Sequence, residues 1–324
     1  KQNFEEQLLL DGEVESESLL SKIEFVEIGG GTGFGSQEDS LNYDKTLVEA
    51  SRKLRLELVN LTKVQDLMAY RKNDYEIVLN NMRSEAIFLP LAKKKKKEMI
   101  SVMHLNIFEE LAELFEKFGT KIITIADHQK SSFPNLNYLV TISNPVNTNA
   151  FSFSNEPKNY ALFISTIGTH KNQKDAILAC KKASIPLIMG GKIRDVDYFE
   201  NEIKPHVDGK NVIYAGELSF DEKLKLYQKA KVFLFPILWQ EPFGLVAIEA
   251  LSCGTPVIAY PNGGPAEIIK NGENGYLVNS VEEMAEKINQ IDNIKRENCR
   301  TDAQLRFSEE VIGEQYFKVL QTMP

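Results

Sequence analysis

The chain has 324 residues, room for two domains of ordinary size, and its 43% hydrophobic and 26% charged residues describe a soluble globular protein. A net charge of −8 argues against a nucleic-acid partner, and no apolar run approaches the ~20 residues of a membrane span. Cys180, Cys253 and Cys299 are too few and too scattered for a disulfide framework or a zinc site, no secretory signal is visible, and a reducing cytoplasm is expected.

Residues 1–21 read as an acidic, polar arm with an apolar island at Leu8–Leu10. KIEFVEI (Lys22–Ile28) is the first clear strand, followed by the glycine loop GGGTGFG (Gly29–Gly35), a helix from Tyr43 to Leu56, and LELVNL as a further strand. A glycine-rich loop between strand and helix lets backbone approach a ligand closely; it is not a clean G-x-G-x-x-G, and no acidic residue ends the next strand, so a dinucleotide site is not expected. YEIVLNN (Tyr75–Asn81) reads as a strand, SEAIFLPLA (Ser84–Ala92) as a helix, MISVMH (Met99–His104) as a strand, IFEELAELFEKFG as a helix and KIITIAD (Lys121–Asp127) as a strand. NYLVTISNPVN (Asn137–Asn147) follows, with Asn144 and Asn147 expected to shape a turn; His128 reads as structural. Strands separated by single helices imply a parallel, doubly wound sheet. The lysine run Lys93–Lys97 lies between a helix and a strand, where it complements the helix dipole on a solvated corner. Its sharper alternative is weak peripheral contact with anionic lipid, at ~1 kcal/mol per Lys.

A second domain is expected from residue 151. ALFISTI (Ala161–Ile167), IPLIMGGK (Ile185–Lys192), NVIYAGEL (Asn211–Leu218) and KVFLFP (Lys231–Pro236) read as strands. GLVAIEALSCG is an apolar helix closed by Gly254, TPVIAY (Thr255–Tyr260) a buried strand, PNGG a turn and PAEIIKNG a short helix. FSEEVIGEQYFKVLQTM (Phe307–Met323) is an amphipathic helix. Ligands of such α/β sheets sit at the carboxyl ends of the strands.

EPFGLVAIE (Glu241–Glu249) sits at one of those ends, with two carboxylates eight positions apart. Gly244 and Leu245 open a helix whose first N–H groups lack internal partners and carry the positive end of the dipole, which suits phosphate or sugar hydroxyls. Glu241, in the loop ahead of the helix, can accept from vicinal hydroxyls; Glu249, five residues past Gly244, can reach a second diol such as a ribose. Two carboxylates with amide donors between them fit a nucleotide-sugar.

The stretch VFLFPILWQEPFGLVAIEALSCGTPVIAYPNGGPAEIIKNGENGYLV (Val232–Val278) resembles the donor-binding core of the retaining family-4 glycosyltransferases. The pattern E-x-F-G-x-x-x-x-E-A-x-(A/S)-x-G-x-P-V, then G-G-x-x-E, then N-G-x-L-V, is nearly complete. The resemblance implies the GT-B fold: two Rossmann-like, doubly wound parallel-sheet domains facing across a cleft. It divides the chain into an acceptor-side domain at residues 1–150, a donor domain at 151–306, and a C-terminal helix, 307–324, crossing back to the first domain. It places the transferred sugar on Glu241 and on the amides of Phe243 and Gly244, the diphosphate on the amides of Leu245 and Val246, and the nucleotide ribose on Glu249. His104, at a strand end in MHLN, resembles the histidine near the sugar's outer hydroxyl and the reaction centre. The glycine loop, with Gly30 and Gly31, would face the cleft near donor phosphate or acceptor.

The main departure follows the first strand of the second domain. The family has Gly-Arg there, with a lysine five positions after the arginine; this chain has Ser165 and Thr166, and keeps Lys171. One lost charge-assisted contact weakens diphosphate binding, with His170 and Lys192 as the nearby replacements. The resemblance implies retaining transfer from a nucleotide-sugar, UDP-sugar in particular, to an unspecified acceptor. The leaving diphosphate would be stabilised by Lys171 and helix amides, with no cofactor, no metal and no protein nucleophile; RDVD, with Asp195 and Asp197, matches a metal loop only as letters. A nucleotide-sugar epimerase, a phosphorylase and a degenerate binding subunit stay open. The first domain reads as short for this fold and the chain begins with Lys1 rather than Met, so residues either trimmed or not shown are expected.

Overall fold

The computed structural model describes residues 45–70, 75–82 and 86–323. The strand expected at Lys22–Ile28 and the glycine loop with Gly30 and Gly31 lie outside them. The chain divides into two units, residues 1–76 with 94–96, and residues 77–93 with 97–324.

In the first unit, α1 spans Lys45–Tyr70 as one helix of 26 residues. It absorbs LELVNL, which the sequence reading assigned to a strand. Leu61 and Met68 are buried, seven positions apart, a spacing that falls on one helical face and sets period 3.6 over the local β-propensity.

The second unit holds two sheets. β1 (Ile77–Asn80), β2 (Glu98–Met103), β3 (Lys121–Thr124) and β4 (Tyr138–Thr141) form a four-stranded sheet in that order, and every pairing is parallel. α2 (Leu89–Lys95) and α3 (Glu109–Phe118) connect its strands. α2 starts later than the expected Ser84, placing Pro90 in the first turn, where its missing N–H costs nothing. The lysine run is therefore partly the last turn of α2. α3 closes at Gly119, whose φ of 65° lets its N–H return to the helix's last carbonyls.

The second sheet has six parallel strands in the order β10-β9-β8-β5-β6-β7. They are β5 (Ala161–Ile164), β6 (Leu187–Gly190), β7 (Val212–Tyr214), β8 (Val232–Phe235), β9 (Val257–Ala259) and β10 (Gly275–Leu277). β5 and β8 are buried at every position, as strands covered by helices on both faces must be. The helices are α4 (Gln173–Ala183), α5 (Phe220–Lys229), α6 (Leu245–Ser252), α7 (Pro265–Ile268), α8 (Val281–Asn289), α9 (Arg296–Phe307) and α10 (Glu309–Gln321). α5 starts at a Ser219–Glu222 capping box.

The expected terminal helix is in fact the end of α9 plus α10. Ser308 breaks them apart, its hydroxyl capping the Val311 amide. Beyond α10, Met323 Sδ lies 3.8 Å from Lys121 Nζ of β3.

In the second sheet the chain moves from β5 outward through β6 to β7, then returns to the other side of β5 and moves outward through β9 to β10. The crevice where such an order reverses, beyond the carboxyl ends of β5 and β8, is the binding position of doubly wound folds.

Candidate functional site

A cavity of about 340 Å³ opens at that reversal. From the second sheet, Ser165, Thr166 and Lys171 follow β5, and Trp239, Glu241, Phe243, Gly244, Leu245 and Val246 follow β8. From the first sheet, His104 follows β2, Ile125 follows β3 and Asn144 follows β4. The carboxyl ends of both sheets thus share one cavity.

Lys171 is held at the end of a short loop. Buried Gln173, in the first turn of α4, donates to Ser165 Oγ at 3.1 Å and to the Thr166 carbonyl at 3.0 Å. Asn172 takes a left-handed conformation, φ 58°, which asparagine tolerates better than most residues. Its Nδ2 donates to the Pro236 carbonyl at 3.0 Å, and the Leu238 amide donates to the His170 carbonyl at 2.9 Å, so the loops after β5 and β8 are tied together.

The centre of the site is an ion pair. Lys171 Nζ lies 2.6 Å from Glu241 Oε2, with the two side chains only 14% and 16% exposed. The Trp239 indole N–H donates to the same carboxylate oxygen at 2.9 Å, and Lys171 Nζ sits 5.0 Å from the Trp239 ring centroid, within cation–π range. His170 meets the same indole edge-on at 5.7 Å. Burial, and then the neighbouring Lys171 charge, push the His170 imidazole below its ordinary pKa, against the opposing pull of Glu241 and Asp195.

The Glu241 backbone is pinned against the glycine turn that precedes α7. Its amide donates to the Asn262 carbonyl at 3.2 Å, and its carbonyl accepts from the Gly264 amide at 2.8 Å. Gly263, with φ 79°, passes so close that a Cβ there would collide with the Glu241 carbonyl oxygen. Gly244, φ 110°, then turns the chain into α6. The Leu245 and Val246 amides lie ahead of the first intrahelical acceptor and on the cavity wall, the position of an anion site. Phe243 buries its ring against Phe307, 6.0 Å away and edge-on, and so locks the turn into the core.

Glu249 lies deeper in α6 and is not on the wall of this cavity. Its carboxylate accepts from Lys223 Nζ at 3.0 and 3.1 Å and from the hydroxyl of fully buried Tyr227 at 2.9 Å. His104 is on the wall, its Nε2 3.0 Å from Asn81 Oδ1. The structure therefore brings His104, Lys171, Glu241, Phe243, Gly244, Leu245 and Val246 together and leaves Glu249 behind them; Gly30 and Gly31 lie outside the described residues. Asp195 is a cap, accepting from the Tyr198 amide and the Thr169 hydroxyl. Among the described residues no group of three or more His, Cys, Asp or Glu side chains is placed to share a metal ion.

Five contributing residues carry roles that the sequence does not announce. Trp239 bridges the ion pair, and the Lys223–Tyr227 pair serves Glu249. From the first-sheet side, Asn106 Nδ2 donates to the Gln240 carbonyl at 2.8 Å, and His128 Nε2 lies 3.1 Å from the Pro242 carbonyl. Only the Trp239 contact carried a local signal, two positions from Glu241 in WQE.

Residues 147–306 match the family model described as glycosyl transferases group 1. An uncharacterized glycosyltransferase of Methanocaldococcus jannaschii is 37% identical over 102 residues, covering 32% of this chain and 25% of that protein. A second from the same organism is 31% identical over 192 residues, covering 55% and 52%. Spore coat protein SA of Bacillus subtilis is 33% identical over 106 residues, covering 30% and 28%. The chain thus spans between about a quarter and about half of the length of these relatives. Among solved structures, HepE of Anabaena in complex with UDP and glucose superposes with a TM-score of 0.69 at 19% identity, over 80% of this chain and 81% of that one. Sucrose-phosphate synthase of Thermosynechococcus elongatus gives 0.68 at 20% identity, over 81% and 77%. The chain has the GT-B fold of these structures, two parallel-sheet α/β domains, and from residue 147 to 306 it carries the group 1 glycosyl transferase pattern.

Proposed function

We propose that this chain is a retaining glycosyltransferase that moves a sugar from a nucleoside-diphosphate sugar, a UDP-sugar in the first instance, to an acceptor hydroxyl. The observation that carries the reading is the cavity at the β5–β8 reversal, whose wall joins a largely buried lysine, a largely buried carboxylate and the amides opening α6. The UDP and glucose of the HepE complex support it by analogy of fold.

Each group has a task in this reading. Lys171 Nζ and the Leu245 and Val246 amides hold the diphosphate and gain strength as the glycosidic bond breaks, because charge builds on the leaving oxygen in a site shielded from water. Glu241 accepts from hydroxyls of the transferred sugar, and His104 stands at the sugar's outer side. In front-face attack the acceptor oxygen bonds to the anomeric carbon as the carbon–phosphate-oxygen bond breaks. The acceptor proton passes to the leaving phosphate, so no protein nucleophile or base is required. We assign no cofactor and no metal, the cationic work falling to Lys171 and the helix amides. Cys180, Cys253 and Cys299 are free and buried, which suits the cytoplasm. Contact of the Lys93–Lys97 run with anionic lipid leaves the cavity accessible: Lys97 precedes β2 and His104 follows it, at opposite ends of a six-residue strand, ~20 Å apart.

Thr166, standing where the family carries arginine, favours one second reading, a nucleotide-sugar-binding subunit that no longer transfers. Titration of the purified chain with UDP, GDP and ADP, followed by hydrolysis of the matching sugar donors with and without EDTA, separates the two. UDP binding with EDTA-resistant hydrolysis is the expected result. Binding without turnover selects the subunit reading, and loss of turnover in EDTA, restored by manganese, removes the metal-free assignment.

A further inference from the structure

The loop that carries Glu241 is gripped from both sides of the cavity. On its own side its backbone pairs with Asn262 and Gly264. From across the cavity, the carbonyls on either side of Glu241 each receive a side chain from the loops of the first sheet: Gln240 from Asn106 Nδ2 at 2.8 Å, Pro242 from His128 Nε2 at 3.1 Å. A carbonyl only accepts, so His128 must carry its proton on Nε2. A third tie runs the other way. The Glu267 carboxylate, on α7 just beyond the glycine turn, accepts from the Asp127 and His128 amides, both at 2.8 Å. Those amides open a turn of 3₁₀ helix, Asp127–Lys130, and have no acceptor inside it.

The arrangement is specific in place and chemistry. Asn106 follows β2 and His128 follows β3, so both sit at the carboxyl edge of the first sheet, where its loops meet the second sheet. Asn106 makes its bond although its Oδ1 is buried without a protein partner. Glu267 couples the His128 turn to the glycine turn that holds the Glu241 backbone, through only three residues of chain from Gly264.

We propose that Asn106, His128 and Glu267 are positioning residues for Glu241: with the first-sheet loops docked they fix the segment from Gln240 to Pro242, and with those loops withdrawn that segment loses two of its holds and Glu241 its reacting geometry. The inference rests on the reading of Glu241 as the carboxylate that meets the transferred sugar. It separates two activities that share the cavity. Diphosphate binding depends on Lys171 and the α6 amides, which none of the three residues touches, whereas transfer depends on where Glu241 stands. Mispositioning of about 1 Å costs roughly 100-fold in rate.

The experiment uses the full chain with His128→Ala, His128→Gln, Glu267→Gln and Asn106→Ala. UDP affinity is measured by calorimetry, UDP-glucose turnover by UDP release, and hydrogen exchange at the Glu241 and Gly264 amides. His128→Ala and Glu267→Gln are expected to lower kcat about 10- to 100-fold, with UDP affinity within about 2-fold of the parent. Exchange should quicken about 10-fold at Glu241 and Gly264 but not in the buried strands β5 and β8. His128→Gln, which restores an N–H donor of similar reach, should recover kcat to within about 3-fold of the parent. Parental kcat and parental exchange in folded His128→Ala and Glu267→Gln would overturn the proposal, and so would uniform loss of protection throughout the core. If His128→Ala does not fold, Glu267→Gln and Asn106→Ala decide on the same criteria. If the parent neither binds UDP nor releases it from UDP-glucose, the functional reading fails on its own, and local exchange at Glu241 and Gly264 alone decides the positioning role.

Discussion

Replacing Lys171 by methionine keeps an unbranched side chain one atom shorter and removes its charge, and replacing Glu241 by glutamine removes the charge of its partner at the same length. The two members of this pair, 2.6 Å apart, should answer UDP in opposite ways. The Lys171 ammonium has three donors; one is engaged by Glu241, and the amine also faces the Trp239 ring, which leaves a donor for a phosphate oxygen. A hydrogen bond involving a charged group contributes about 1.5–3 kcal/mol, so Lys171→Met should weaken UDP binding about 10- to 150-fold at 1.36 kcal/mol per decade. The same change strips Glu241 of its cation, so a loss of about 1–2 kcal/mol in stability is expected, below the figure for a fully buried pair because both side chains keep some exposure. Glu241→Gln retains an acceptor for the Trp239 indole and frees Lys171. UDP carries no sugar, so its affinity should hold or tighten, while UDP-glucose turnover falls about 10²- to 10³-fold. Calorimetric titration with UDP, steady-state UDP release and a urea melt of each variant make the comparison. Parental UDP affinity in folded Lys171→Met would refute the reasoning, as would an equal weakening by Glu241→Gln.

Glu249→Ala should act twice: it removes the candidate ribose acceptor, costing about 1.5–3 kcal/mol of UDP affinity, and it strands the buried Tyr227 hydroxyl, lowering the unfolding free energy by about 1–3 kcal/mol in urea. Unchanged UDP affinity in a folded variant would leave Glu249 with a structural role alone. Arg296 is buried and donates to the carbonyls of Ser154, Gln228 and Ala230 and to the Thr255 hydroxyl at 2.8–2.9 Å. Arg296→Ala should therefore destabilise the chain by at least ~3 kcal/mol, at about 1–3 kcal/mol per stranded acceptor, and a midpoint of urea unfolding near the parent's would contradict this. The native His170 pKa lies below its ordinary 6.5, so between those two values the unfolded chain binds more protons and stability rises with pH. Stability is thus lost as pH falls through that window, and His170→Gln should lose less than the parent between pH 7 and pH 5; parallel losses would remove the effect.

Much of the architecture was legible because it is local. Apolar runs such as VFLFP and PVIAY, short and alternating with helices, read as parallel strands buried on both faces. EPFGLVAIE announced a loop entering a helix start. The failures have equally physical sources. LELVNL has strand-like letters, but within α1 only its Leu61 is buried, seven positions from buried Met68 on one helical face, while Leu56, Leu58 and Val59 are exposed. Pro90 moved the start of α2, and Ser308 divided a run that reads as one amphipathic helix. His128 reads as structural, and its particular contact, the Pro242 carbonyl 114 positions away, is announced by nothing within a few residues of either. The protein contacts of Glu249 are equally hidden, because spacing along the helix is blind to Lys223 and Tyr227 reaching its carboxylate from α5.

The measurement that bears most directly on the central claim is a crystal structure of the full chain with UDP. The account predicts the diphosphate in the cavity beyond β5 and β8, with phosphate oxygens within hydrogen-bond distance of Lys171 Nζ and of the Leu245 and Val246 amides, and the Lys171–Glu241 pair loosened or shared. UDP bound elsewhere on the chain, or a cavity that stays closed by an intact Lys171–Glu241 pair at saturating UDP, would contradict it.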